Sequence, residues 1–161
     1  MKRNLTALII FGIAFGFLEA AVVFYLRIML GYKSGYPLGN YQTLFGTNFI
    51  SFIVTEKPLL GTVQIAKAEI AREVATIVML VGVAFISAKK FLPRLGAFMI
   101  AFSLWDIFYY VFLKFLTGWP TSIFSTDIYF LIPVPWIGPV ITPLIISIIL
   151  FIVGVKLYNK P

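Results

Sequence analysis

IYFLIPVPWIGPVITPLIISIILFIVGV, residues 128–155, is apolar enough for a bilayer yet contains Pro133, Pro135, Pro139 and Pro143. A proline inside a helix deprives the carbonyl four residues earlier of its donor and clashes with it, so Pro133-Val134-Pro135 is a poor site for regular helix. The stretch therefore reads as two pieces: an interfacial or re-entrant segment from Ile128 to Pro135, then a membrane span from about Trp136 to Val155. Pro139 and Pro143 would kink the outer half of that span. The remaining piece has the roughly 20 residues that cross a hydrocarbon core of about 30 Å.

Three further spans precede it. The third runs from about Leu95 to Leu116, with Pro93 near its first turn, where a missing N–H does no harm. The second ends at Ala88, and its strictly apolar part, Val74 to Ala88, is too short to cross. A full crossing must begin near Glu69, which carries Arg72 and Glu73 into the membrane boundary. The first runs from about Leu5 to Leu30 behind Lys2 and Arg3, and it is longer than a signal-peptide core, so it reads as an uncleaved helix. The expected fold is all-α: a four-helix transmembrane bundle with spans near 5–30, 69–88, 95–116 and 136–155. It has a Pro-broken fourth helix and a long outer loop between helices 1 and 2. All of residues 1–161 form one integral membrane domain.

Composition agrees, since 61% of the 161 residues are hydrophobic and only 12% charged. A soluble domain of that size could not hide so much apolar surface. The net charge of +7 could suggest nucleic acid, but Lys2, Arg3, Lys89, Lys90, Arg94, Lys156 and Lys160 flank the apolar runs. They read as topology determinants that meet anionic headgroups, and no nucleic-acid partner is expected. With four spans these flanks place both termini in the cytoplasm of a multi-pass protein of the cell membrane. The connections Gly31–Ala68 and Thr117–Pro135 then lie outside, with Tyr32, Tyr36, Tyr41, Trp119 and Trp136 as an outer aromatic belt. Thr47–Thr55, inside the first connection, is too apolar for a solvated loop and reads as lying on the membrane or across the bundle mouth.

The chain has no Cys and no His. Disulfides, thiolate nucleophiles, zinc thiolates and imidazole-ligated metals are thereby excluded, and no metal or other cofactor is expected. Any proton transfer near neutral pH would fall to a buried carboxylate.

Charges inside a membrane are costly and normally face a bundle interior. Helical spacing groups the embedded ones. Glu19 and Arg27 share a face of the first helix; Glu69, Arg72, Glu73 and Thr76 share one of the second; Asp106, Tyr110 and Lys114 share one of the third. The candidate ligand-binding or proton-site residues are Glu19, Arg27, Arg72, Glu73, Asp106, Tyr109, Tyr110, Lys114 and Asp127, in the outer half of the bilayer. Two main readings compete, beside a third in which the layer is an interface with another membrane subunit. In one, Arg72 and Arg27 neutralise the acids and only fix which faces turn inward. In the other, the acids line a polar cavity open to the outside. Arg72 is expected to pair with Glu19 or Asp106. Gly12 and Gly16 form a G-x-x-x-G spacing that favours a close helix contact within the monomer.

Trp105-Asp106-Ile107-Phe108-Tyr109-Tyr110, Gly118-Trp119-Pro120-x-Ser122, and Asp127 followed by Phe130-Leu131-Ile132-Pro133-Val134-Pro135-Trp136-x-Gly138-Pro139 are distinctive. Together with Glu19, Tyr25-Leu26-Arg27 and Arg72-Glu73-x-Ala75-Thr76, they resemble a group of small bacterial and archaeal membrane proteins of unassigned function. The resemblance implies four membrane helices and no transferable activity. The functional expectation is binding of a small polar or amphipathic molecule, or service as an accessory subunit, with membrane lipids, other membrane subunits or a second copy as partners. The alternatives are a membrane-embedded enzyme acting on lipid or isoprenoid substrates, and a proton-coupled small transporter.

Overall fold

The structure, a computed structural model, describes residues 4–32 and 38–160. Lys2, Arg3 and Tyr36, named above as flanking cations and as part of the aromatic belt, lie outside the described residues. Four helices, α1 (Leu5–Met29), α2 (Val63–Ser87), α3 (Phe91–Thr117) and α4 (Ile141–Tyr158), are each long and apolar enough to cross a membrane. Their outward faces carry large apolar side chains in the open, such as Ile86 at 73% exposure and Phe115 at 83%. Such surfaces suit lipid and not water.

The ends of the helices follow local chemistry. Asn4 caps α1 by accepting from the Ala7 N–H at 3.0 Å, and Thr62 caps α2 by accepting from Ile65 at 3.3 Å. That cap starts α2 at Val63, six residues before the expected boundary, because a capped turn needs no membrane to be helical. Gly118, at φ +74°, closes α3 in the left-handed conformation and returns its N–H to the Lys114 carbonyl at 2.9 Å.

The all-α expectation is overturned by a four-stranded antiparallel sheet. Strands β1 (Tyr41–Gly46) and β2 (Ser51–Thr55) come from the first long connection, and β3 (Thr126–Phe130) and β4 (Trp136–Pro139) from the second. The order β1-β2-β4-β3 pairs Ser51 with Ile137 and Phe52 with Trp136, so the two hairpins join into one sheet at one end of the bundle. The Tyr129 hydroxyl reaches the Pro139 carbonyl at 2.7 Å and the Phe49 carbonyl at 3.2 Å, tying the second hairpin to the turn of the first. Thr47–Thr55 is therefore the β1–β2 turn plus strand, and Ile128–Pro135 is β3 plus the link to β4. These pieces are short and rich in aromatic and β-branched residues, which suit a pleated surface. Trp136–Pro139 is likewise strand, so the fourth helix begins at Ile141 and not Trp136. Pro139 ends β4, and Pro143 sits in the first turn of α4, where neither kinks a helix.

α3 is central. It meets α1 at Gly12 and Gly16, where an added Cβ would lie 2.7 Å from Leu104 Cβ and 2.7 Å from the Trp105 carbonyl oxygen. It meets α4 where a Cβ on Gly96 would lie 2.7 Å from the Gly154 carbonyl oxygen. The G-x-x-x-G spacing thus serves a contact within the monomer. All four helices converge far from the sheet, where Leu8, Ala84, Ala88, Ala97, Ile100 and Tyr158 form one apolar cluster. Toward the sheet a cavity opens between them.

Candidate functional site

Glu19, Arg72, Glu73 and Asp106 each lie nine to eleven residues from the sheet end of their helix, about 15 Å at 1.5 Å per residue. They form one layer. Above it the sheet is a roof, because the chain after β3 dips down until the Leu131 N–H meets the Glu73 carboxylate, 3.0 and 2.9 Å from its two oxygens. Below it, Leu80, Ala101 and Trp105 pack with Phe15, Phe98 and Phe102 as a floor. Phe130 rests between Trp105 and Trp136, with ring centroids 6.1 and 6.0 Å away. The cavity measures about 170 Å³ and is lined by all four helices and the sheet. Engineered apolar cavities of roughly 150 Å³ hold benzene, so a ring or a short chain fits.

The charges divide into three groups. Arg72 bridges α1 and α2: its Nη1 pairs with Glu19, while Nη2 and Nε reach the same oxygen of Glu69 at 2.7 and 2.8 Å. The expectation that Arg72 pairs with Glu19 or Asp106 is met for Glu19, and its second partner is Glu69. Asp106 takes its hydrogen bond from the Ser147 hydroxyl at 2.8 Å, joining α3 to α4. Glu73 is engaged by the Leu131 N–H.

Arg27, Asp127 and Lys114 do not line the cavity. Arg27, 2% exposed, places its guanidinium carbon 4.3 Å from the centre of the Trp119 ring, a cation–π contact. Asp127, 3% exposed, accepts from the Tyr110 hydroxyl at 3.0 Å. Burial pushes its carboxyl up to about 6, against the Arg27 charge and the donors Tyr110 and Ile128 N–H, which pull it down. Burial likewise raises the Tyr129 hydroxyl to about 12. Lys114 donates at 2.7 Å to the carbonyls of Gly118 and Pro120 and so finishes α3. These three residues lie outside the cavity lining.

Of the nine residues singled out from sequence, Glu19, Arg72, Glu73, Asp106, Tyr109 and Tyr110 come together at the cavity. Sequence reasoning missed Trp105, Tyr129, Trp136, Thr142 and Ser147 on its walls and left Glu69 and Thr76 as face-mates only. Ser147 had a legible signal, as the one hydroxyl in the apolar run Leu144–Val155. Tyr129 and Trp136 enter through the sheet, which was not foreseen. Among the described residues no group of three or more acids is placed to hold a metal ion. The arrangement offers carboxylates and indoles on apolar walls, which can seat a molecule with one polar end. No protein-family model matches the chain, no curated protein matches it, and no solved structure matches it.

Proposed function

We propose that this multi-pass membrane protein is a binding protein for a small amphipathic molecule, held with its polar end in the charged layer and its apolar part against the aromatic walls. The observation that carries this reading is the cavity itself: about 170 Å³, roofed by the sheet, with carboxylates on otherwise apolar walls. A layer serving only to neutralise charge would pack shut, because voids in a packed core are destabilising. The basic flanks support an orientation with both termini in the cytoplasm and the sheet outside, so the roof would face the external medium.

Trp105 and Trp136 line the cavity, so bound bromine should quench them. Protein in phosphatidylcholine vesicles is titrated with 4-bromobenzyl alcohol, 4-bromobenzylamine and 4-bromobenzoate. The reading expects saturable quenching by at least one, lost on filling the cavity with Thr142→Phe. Quenching that only tracks partition into lipid, for all three, would overturn it.

A further inference from the structure

The layer contains four carboxylates, of Glu19, Glu69, Glu73 and Asp106, and one guanidinium, of Arg72. Three of the acids are accounted for: Glu19 and Glu69 hold Arg72, and Glu73 holds the Leu131 N–H. Asp106 differs. It has the neutral Ser147 hydroxyl, and among the described residues no Lys or Arg lies within ion-pair distance of it. Lys114, on the same face of α3, is committed to the carbonyls of Gly118 and Pro120.

A carboxylate at membrane depth without a cation is a costly group to retain. The wall beside it is not fully satisfied either. Trp105 is 6% exposed, with its indole N–H beside Glu19. The buried indole N–H of Trp136 has no hydrogen-bond partner among the described residues. A buried polar group left without a partner in a native fold calls for an occupant. The rings of Trp105, Tyr109 and Trp136 line the same space, and aromatic faces attract desolvated cations.

We infer that the cavity's ligand is cationic: an amphipathic amine whose ammonium group pairs with Asp106 among the aromatic rings, its apolar part running along the walls. This assignment rests on the binding reading above and adds the sign of the ligand's charge. Neutral and anionic amphiphiles of the same shape should be inferior, the anion most of all, since it would meet a layer already rich in negative charge.

The test compares the three brominated benzyl compounds at pH 7 in vesicles of phosphatidylcholine, which has no net charge and does not concentrate the amine. For the wild-type protein, 4-bromobenzylamine should bind about tenfold tighter than 4-bromobenzyl alcohol, the difference expected of a charge-assisted contact, and 4-bromobenzoate should not saturate. Asp106→Asn should reduce that ratio to about twofold or less by weakening the amine more than the alcohol, and Asp106→Glu should keep the preference for the amine. The wild-type ratio decides the matter even where a variant fails to fold. Equal affinities for amine and alcohol, or a preference that survives in a folded Asp106→Asn protein, would overturn the cationic assignment and leave the binding reading standing. No saturable quenching by any compound would overturn both.

Discussion

Replacing Arg72 by alanine removes the one cation that, among the described residues, joins α1 to α2 across the charged layer. Two acids depend on it, and both are well shielded: the side chains of Glu19 and Glu69 are 11% and 10% exposed, and that of Arg72 24%. Taking away one partner of a buried pair costs roughly 3–5 kcal/mol, because the remaining charge is left in a poor solvent. The partial exposure of Arg72 to the cavity places the expected loss at the lower end, about 3 kcal/mol. Glu19→Gln in the same chain should return about 1–2 kcal/mol of it, and Glu69→Gln a comparable amount, since each removes a stranded charge. Asp106→Asn shares no partner with Arg72 and should add to Arg72→Ala within about 0.5 kcal/mol. Reversible unfolding of the detergent-solubilised protein by sodium dodecyl sulfate, followed by tryptophan fluorescence, gives the free energies for these double-mutant cycles. Strict additivity of Arg72→Ala with both Glu19→Gln and Glu69→Gln, or a large coupling to Asp106→Asn, would refute the reasoning.

Gly16→Ala should destabilise by about 1–3 kcal/mol, because its Cβ would lie 2.7 Å from the Trp105 carbonyl oxygen and 3.0 Å from the Tyr109 nitrogen, whereas Gly82→Ala faces open space and should be neutral or gain about 0.5 kcal/mol. The same unfolding assay separates the two. Asp127 protonates more readily folded, near pH 6, than unfolded, near 3.9, so its stabilising contribution is full below about pH 4 and is lost as pH rises through 6, by up to about 3 kcal/mol; Asp127→Asn should flatten that slope in stability measured from pH 4 to 7. Because the chain has no cysteine, Asn48→Cys in the β1–β2 turn supplies a single thiol, and a membrane-impermeant maleimide should label it on intact cells. Labelling only after lysis would reverse the orientation.

The four membrane helices were legible because length and apolarity in a bilayer leave few alternatives for a backbone that must satisfy its own hydrogen bonds. The sheet was not, because β1, β2, β3 and β4 are only six, five, five and four residues long and pair between two distant connections, a relation that no local periodicity records. The prolines compounded this. Pro133 and Pro135 read correctly as helix breakers, and what they break away into is the link between β3 and β4. The charged layer was read from i, i+3 and i+4 spacing on α2 and α3, which places Glu69, Arg72, Glu73 and Asp106 on inward faces whatever the loops do. Spacing could not assign partners. That Asp106 finds Ser147, and that Arg27 and Asp127 fall outside the cavity lining, depends on how α4 and β3 dock.

The central claim is that the space beneath the sheet is a binding site. Electron density from protein purified with native lipid and crystallised from a lipid mesophase tests it most directly. The account predicts continuous density of a bound molecule between Asp106, Trp105 and Trp136, its polar end within hydrogen-bond distance of the Asp106 carboxylate. A layer closed by its own side chains, with Tyr109 or Trp136 filling the cavity and Asp106 ion-paired to a protein cation, would contradict it.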